Sequence, residues 1–161
     1  MIKKFKKMKK IVNPIIMWLI IIVGAIVIFV FVGDDGLFIS GIFNKLILII
    51  AFLFWLYFFI SAVYIHKQVI KSAEKINKII DVGVYSIVRH PIYMADVILA
   101  WGVFIAFPNL RVFVAVIYST IIWFAWMKLE EKVLIDKFGQ QYSEYARKVP
   151  MIIPRIRKNN R

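Results

Sequence analysis

Two short polar clusters carry the residues of this chain that could do chemistry, and each lies at the edge of an apolar run. The first is in VYSIVRHPIY, where Arg89 and His90 come directly before Pro91. Proline fits the first turn of a helix and disfavours helical geometry in the residue before it, so a helix is predicted to begin at Pro91. Arg89, His90 and the free N–H groups of that helix would then face one polar region, which suits a carboxylate or a phosphate. The alternative is that Arg89 extends to lipid phosphate and His90 merely fills the interface.

The second cluster is Glu130 and Glu131, which lie between residues Leu129 and Lys132. Paired carboxylates can hold a ribose, orient a base or coordinate a metal, but beside lysines they also form an ordinary solvated helix face. The chain has no Cys, and its two His show no H-E-x-x-H spacing, so we expect no metal site. Taken alone, the pair leaves the functional and the structural interpretation open.

A third carboxylate, Asp96, is predicted to lie one turn inside the helix that begins at Pro91. An ionised group at such a depth is costly and usually faces a cavity or a partner. A partner such as Arg89, or a position still near the lipid headgroups, would also explain it. The role of Asp96 therefore stays open at this point.

The composition predicts that lipid is the solvent for much of the chain. Hydrophobic residues make up 62% of the 161 residues, more than a soluble domain of this length could bury. The Lys and Arg residues are concentrated in 1–10, 66–90 and 128–161. Basic segments that alternate with apolar runs are typical of cytoplasmic ends beside anionic lipid, and they argue against nucleic acid as a partner. We expect a multi-pass integral membrane protein with both termini in the cytoplasm.

Four apolar segments predict four transmembrane helices, at about 13–32, 46–65, 91–107 and 112–127. The predicted fold is all-α, with a single domain over residues 1–161. The turns GDDG and PNLR separate them so that the basic segments share one face, and the last two helices are predicted to form a hairpin. Both are near the lower length limit for a span, so a re-entrant pair is the alternative. We also expect a surface amphipathic helix within 69–80, a fourth helix that continues to Gly139, and a cytoplasmic C-terminal helix.

The predicted hairpin would bring the two polar clusters together, because the cytoplasmic ends of its helices are neighbours. Arg89, His90 and Tyr93 would then face Glu130 at one site on the membrane surface. A cationic, hydrogen-bond-donating end opposite a carboxylate suits a zwitterionic ligand that has an acidic tail and a hydroxylated sugar.

The stretches GVYSIVRHPIY at 83–93 and EEKVLIDKFGQQYSEYARKVPMIIP at 130–154 resemble the isoprenylcysteine carboxyl methyltransferase family and the related membrane phospholipid methyltransferases. The resemblance implies an integral membrane enzyme that uses S-adenosylmethionine to methylate a lipidic or prenylated acceptor at the cytoplasmic face. Arg89 is included because it is predicted to face an anion at the start of the helix. The expected cofactor-binding residues are therefore Tyr85, Arg89, His90, Pro91, Ile92, Tyr93, Glu130 and Glu131. A match to the family pattern FGxxYxxY implies a C-terminal part that folds over the site, with Phe138, Gly139, Tyr142 and Tyr145.

Two departures from the family pattern concern packing and the acceptor. Ala95 lies where many relatives have Gly, and Ala is small enough to keep close packing feasible. Trp126 and Met127 occupy the neighbourhood where the prenylcysteine-specific enzymes have an Arg associated with the acceptor carboxylate. The acceptor is therefore open between a prenylated carboxylate, a lipid amine, another thioether-bearing lipid and a small hydrophobe. Two functions of other classes also remain, a nicotinamide-dependent membrane reductase and a non-catalytic membrane scaffold.

Overall fold

The computed structural model of the protein describes residues 13–66 and 76–155, and the regular elements in this part of the chain are helices. In chain order they are α1 (Pro14–Phe31), α2 (Ile42–Ile65), α3 (Val84–Ile87), α4 (Pro91–Ala106), α5 (Leu110–Phe138) and α6 (Gln140–Lys148). The predicted all-α fold class is confirmed. Most of the segment predicted to form the amphipathic helix lies outside the described residues, and its described end, 76–80, is not helical.

Three of these helices, α1, α2 and α5, are long and apolar enough to cross a membrane. Asn13 caps α1, since its side-chain oxygen accepts a hydrogen bond from Ile15 N at 3.0 Å. The outer faces of the helices carry large exposed hydrophobic side chains, such as Phe31 and Phe43. Water penalises so much exposed apolar surface and lipid accommodates it, so the protein is an integral membrane protein.

The fourth apolar helix, α4, is shorter. It has 16 residues, or about 24 Å at 1.5 Å per residue, against a bilayer core of about 30 Å. Its far end nevertheless lies level with the connection between α1 and α2: Leu37 N donates to Pro108 O at 2.7 Å, and Leu110 N donates to Asp35 O at 2.9 Å. Helices α4 and α5 thus form the predicted hairpin, and these hydrogen bonds argue against the re-entrant alternative.

Helix α5 continues beyond its apolar part, as predicted. The apolar part ends at Met127, and the charged stretch 128–138 follows outside the membrane-spanning part. Gly139 ends the helix with a φ of 57°, a left-handed conformation that favours glycine. After α6 the chain returns to the stretch before α4, where Arg89 N donates to Pro150 O at 2.9 Å and His90 N donates to Met151 O at 3.1 Å.

Helices α2 and α4 pack closely because small residues lie between them. Ala95, where many relatives have Gly, is fully buried together with Ala62. Further along, a Cβ atom placed on Gly102 would lie 2.7 Å from Cβ of Ala51, closer than two side-chain carbons approach. The absence of a side chain at Gly102 therefore sets the separation of the two helices.

We expect Gly102→Val to lower the free energy of unfolding by about 1–3 kcal/mol, because the added side chain forces α2 and α4 apart. Gly36→Val is the matched control, since no atom lies within 4 Å of a Cβ placed at Gly36. Thermal unfolding in detergent, followed by circular dichroism, measures both variants. Equal melting temperatures for the two would show that the approach of α2 to α4 is not tight.

Candidate functional site

Four helical segments converge at the end of the bundle opposite the GDDG and PNLR turns: the start of α1, the end of α2, the start of α4 and the charged part of α5. A cavity of about 300 Å³ lies among them. This volume is at the lower end of the range for small-molecule sites, roughly 300–1,000 Å³. Seven of the eight expected site residues line the cavity, namely Tyr85, Arg89, His90, Pro91, Ile92, Tyr93 and Glu130. Tyr142 and Tyr145 from the expected C-terminal cover line it too, whereas Glu131, Phe138 and Gly139 are not part of its wall.

Glu130 joins the two polar clusters, which are distant in the sequence. Its Oε1 accepts a hydrogen bond from Tyr93 OH at 2.7 Å, and its Oε2 lies 3.8 Å from His90 Nδ1. Burial raises the pKa of Glu130 above its usual range, and the contacts with His90 and Tyr93 oppose that shift without cancelling it. The two clusters therefore meet, as the hairpin prediction required.

Glu131 holds the loop before α4 in place, with His90 lying between it and Glu130. Its Oε1 accepts a hydrogen bond from Arg89 Nε at 2.7 Å and lies 3.2 Å from His90 Nε2. Burial alone would raise the pKa of Glu131, but the hydrogen bonds from His90 and Arg89 outweigh burial and lower this pKa below its usual value. Glu131 thus supports the cavity wall from behind, and its direct contact with a ligand stays a prediction.

Arg89 connects this loop to the C-terminal part of the chain. Its Nη1 donates to Ala146 O at 2.8 Å and to Val149 O at 2.6 Å, at the end of α6, where a cation suits the exposed helix carbonyls. Only 10% of the Arg89 side chain is exposed. These contacts make Arg89 a positioning residue for the loop, and the anion contact expected from the sequence stays a prediction.

The lowered pKa of Glu131 predicts an acid-sensitive attachment of this loop. A carboxylate whose pKa is lower in the folded state stabilises the fold above its ordinary pKa of 4.5, and the stabilisation is lost as the pH falls through the lowered value. We therefore expect the melting temperature of Glu131→Gln to lie below that of the wild type at neutral pH, with the gap closing below pH 4.5. A gap that stays constant between neutral and acidic pH would contradict the role given to this carboxylate. Glu144→Gln, at an outer position of α6, is the matched control.

Two buried polar atoms in the cavity wall, His66 Nε2 and Tyr85 OH, have no hydrogen-bond partner among residues 13–66 and 76–155. His66 is 7% exposed and Tyr85 is 6% exposed. Their rings meet edge to face with centroids 5.9 Å apart. An unpaired buried polar group costs about 1–3 kcal/mol, so two of them in one wall indicate a place where a ligand or ordered water binds.

The remaining wall of the cavity is mainly apolar and faces the helix bundle. It includes Met17, Trp18, Trp55, Phe59 and Leu99. Asp96 lines the same region, is 7% exposed, and accepts a hydrogen bond from Trp55 Nε1 at 2.7 Å through its Oδ1. The cavity thus has a polar end and an apolar end, and the apolar end contains one carboxylate.

Sequence reasoning missed His66 and the aromatic residues of α1 and α2 as parts of the site. His66 comes directly after α2 with no motif around it, so its position at the end of an apolar segment is the one signal that the sequence offers. Trp18 and Trp55 lie within long apolar runs, where nothing local distinguishes a cavity-lining ring from a lipid-facing one. Only the packing of the helices reveals that these three side chains face the same space.

Fold and site together define a class: an all-helical integral membrane protein with a ligand-sized cavity, polar on one side and apolar on the other, at one end of its helix bundle. The chain belongs to the phospholipid methyltransferase family, whose family model matches residues 41–141, more than half of the sequence. This range contains α2, α4, α5 and both polar clusters. The membership suggested by the two sequence motifs is thereby confirmed.

Three named relatives match a shorter segment. The chain is 40% identical over 70 residues to methanethiol S-methyltransferase 1 of Bradyrhizobium diazoefficiens, a match that covers 44% of this chain and 24% of that protein. It is 33% identical over 84 residues to protein-S-isoprenylcysteine O-methyltransferase B of Arabidopsis thaliana, covering 50% of this chain and 42% of that protein. The chain is also 35% identical over 91 residues to the protein-S-isoprenylcysteine O-methyltransferase of Schizosaccharomyces pombe, a match that covers 52% of this chain and 37% of that protein. The chain thus spans less than half the length of these relatives, and no solved structure matches it significantly.

Proposed function

We propose that the protein is an S-adenosylmethionine-dependent membrane methyltransferase that acts on a lipidic or otherwise apolar acceptor. The observation that carries this proposal is the meeting of Glu130 with His90 and Tyr93 in the wall of one cavity. Membership of the phospholipid methyltransferase family supports the reaction class. The names of the relatives, methanethiol S-methyltransferase and protein-S-isoprenylcysteine O-methyltransferase, also support methyl transfer and leave the accepting atom open between sulfur and oxygen.

The residues of the polar end fit the chemical groups of S-adenosylmethionine. His90 and the free N–H groups at the start of α4 would hold the carboxylate of its methionine portion, with Arg89 contributing positive charge. Glu130 would accept hydrogen bonds from hydroxyl or ammonium groups. The unpartnered His66 Nε2 and Tyr85 OH would bond further polar atoms of the ligand, which removes the cost of leaving them unpaired.

When bound, S-adenosylmethionine supplies a methyl group on a positively charged sulfur, which an in-line displacement can transfer. The chain's own contribution is to hold donor and acceptor in line and to keep water away from them. The apolar end of the cavity, with Trp18, Trp55 and Phe59, would receive the acceptor. Because this end lies between helix α4 and the membrane-spanning helices α1 and α2, an apolar acceptor would enter between these helices from the bilayer.

We infer that the end of the bundle with the cavity faces the cytoplasm, where soluble S-adenosylmethionine is available. The basic segments support this orientation, because the six Lys of residues 1–10 directly precede the start of α1 at that end. Both termini would then be cytoplasmic. Labelling of single introduced Cys residues by a membrane-impermeant reagent tests the orientation, since the chain has no Cys of its own.

Isothermal titration calorimetry of the purified protein separates the proposed function from the reductase and scaffold alternatives. We expect saturable binding of adenosylhomocysteine and no binding of NADPH. Binding of NADPH without binding of adenosylhomocysteine would favour the reductase, and binding of neither would favour the scaffold. Incubation with labelled S-adenosylmethionine and a lipid extract, followed by identification of the labelled species, then reveals the acceptor.

A further inference from the structure

We propose that Asp96 makes the apolar end of the cavity a subsite for an apolar thiol and accepts the proton that the thiol loses. This inference rests on the proposed function, because it names the acceptor class for the same cavity. At this end of the cavity the Asp96 carboxylate is buried among aromatic and aliphatic side chains.

The surroundings of Asp96 leave one of its oxygens without a donor. Its Oδ1 accepts the hydrogen bond from Trp55 Nε1 at 2.7 Å, and no other hydrogen bond or ion pair within the described part of the chain reaches the carboxylate. Asp96 follows Tyr93 by one helical turn, so both side chains lie on the face of α4 that borders the cavity. A buried carboxylate is stable when its oxygens receive hydrogen bonds, and the cavity is the space from which a donor can approach Oδ2.

A carboxylate acceptor is disfavoured at this subsite. Two buried carboxylates repel each other, and Arg89 is the only Lys or Arg among the described residues that line the cavity. Arg89 is bonded to Glu131 and to two backbone carbonyls at the polar end. On α5, Trp126 and Met127 are buried and apolar. The carboxylate of a prenylated cysteine would therefore meet a like charge here and find no cationic side chain to pair with.

A thiol suits the subsite better than an amine. An amine with a pKa of about 10.4 is cationic at neutral pH, and Asp96 would stabilise the ammonium form, which has no lone pair for attack. A thiol with a pKa of about 8.5 is mostly neutral and enters apolar surroundings at a low desolvation cost. Its S–H group supplies the donor that Oδ2 lacks. Since the thiolate is the nucleophilic form, a base at this position raises reactivity.

In the proposed transfer, the thiol loses its proton to Asp96 and gains the methyl group. The S–H proton moves to Asp96 Oδ2, and an electron pair of the thiol sulfur forms the new bond to the methyl carbon. The bond between that carbon and the sulfonium sulfur breaks, and its electron pair stays on the leaving sulfur, which becomes a neutral thioether. The products are a methyl thioether, adenosylhomocysteine and one proton, which Asp96 later releases.

The test compares the wild type with Asp96→Asn and with the matched control Asp136→Asn, whose side chain is exposed on α5. Octanethiol, octylamine and octanoate are each supplied with labelled S-adenosylmethionine, and octanoate affinity is measured separately by calorimetry with adenosylhomocysteine present. We expect the wild type to methylate octanethiol and neither of the other two. Asp96→Asn should methylate octanethiol about 100-fold more slowly, as expected for the loss of a general base. It should also keep its adenosylhomocysteine affinity and gain affinity for octanoate, because the like charge is gone.

Several outcomes would overturn this assignment while leaving adenosylhomocysteine binding, and with it the proposed function, intact. One is that the wild type does not methylate octanethiol, and another is that it methylates octylamine or octanoate instead. A third is that Asp96→Asn methylates octanethiol at the wild-type rate. A purely structural role of Asp96 would give no gain in octanoate affinity, and that result also overturns the assignment. Failure of the wild type to bind adenosylhomocysteine would instead overturn the proposed function and this inference together. Acceptor preference is measured on the wild type, so the test holds even for an Asp96→Asn variant that does not fold.

Discussion

Replacing Glu130 with Gln is expected to weaken adenosylhomocysteine binding by about 10- to 100-fold. This corresponds to the loss of one hydrogen bond to a charged group, about 1.5–3 kcal/mol. The carboxylate lies where the clusters from α4 and α5 meet, with Tyr93 OH at 2.7 Å and His90 Nδ1 at 3.8 Å. Gln keeps the size of the side chain but removes its charge and one acceptor oxygen. Isothermal titration calorimetry of the detergent-solubilised protein gives the affinity directly.

The matched control for this prediction is Glu144→Gln, since Glu144 lies on α6, where its side chain accepts a hydrogen bond from Gln140 at the protein surface. We expect this variant to bind adenosylhomocysteine as the wild type does. Burial raises the pKa of Glu130, so loss of its charge should leave the melting temperature unchanged or higher. Wild-type affinity in a folded Glu130→Gln protein would show that the ligand does not contact this carboxylate.

Replacing Arg89 with Met is expected to detach the C-terminal segment from the loop before α4. The guanidinium links Glu131 to the carbonyls of Ala146 and Val149, and removal of one partner from a buried ion pair costs about 3–5 kcal/mol. We expect a lower melting temperature and faster proteolysis within 140–155. Adenosylhomocysteine affinity should fall as well, because Tyr142 and Tyr145 of that segment line the cavity.

Two further variants show whether this effect comes from the bonds that Arg89 makes. Arg147→Met removes an exposed Arg from the same segment and should change neither proteolysis nor affinity. Arg89→Lys keeps the charge but lacks the planar arrangement of donors that reaches a carboxylate and two carbonyls. Its rate of proteolysis and its adenosylhomocysteine affinity should therefore lie between those of the wild type and of Arg89→Met. Unchanged proteolysis in Arg89→Met would mean that other contacts hold the C-terminal segment.

The parts of the fold that the sequence predicted depend on local signals. Pro91 begins α4 because its missing N–H costs nothing in a first turn, and Gly139 ends α5 because it adopts a positive φ at little cost. The first apolar segment was predicted to begin at about residue 13, and in the structure Asn13 caps α1 through a side-chain oxygen that accepts a hydrogen bond from the backbone N–H two residues away. Each of these effects acts within a few residues, so the sequence alone reveals it.

The meeting of the two polar clusters was also predictable, although Tyr93 and Glu130 are separated by 37 positions. The tight PNLR turn allows one arrangement of its two helices, an antiparallel hairpin, and the ends of a hairpin are neighbours. The turn therefore predicts that the first turn of α4 lies near the charged part of α5.

Other partners in the site could not be predicted, because they depend on how whole helices pack. Trp55, the partner of Asp96, lies 41 positions away on α2, within a run of aromatic residues of which any could have faced α4. Val149, whose carbonyl accepts a hydrogen bond from Arg89, lies 60 positions away. It comes directly after α6, the helix that follows the turn at Gly139. Neither pairing leaves a pattern in the sequence near the residues concerned.

The most direct test of the cofactor site uses the imidazoles as reporters, since the two His of this chain, His66 and His90, both line the cavity. NMR spectra of protein carrying isotope-labelled histidine are recorded during a titration with adenosylhomocysteine, and His90→Gln assigns the two signals. We expect both signals to shift and to saturate at the ligand concentration found by calorimetry, and we expect NADPH to move neither signal. Calorimetric binding of adenosylhomocysteine with both imidazole signals unmoved would place the ligand outside this cavity and contradict the proposed cofactor site.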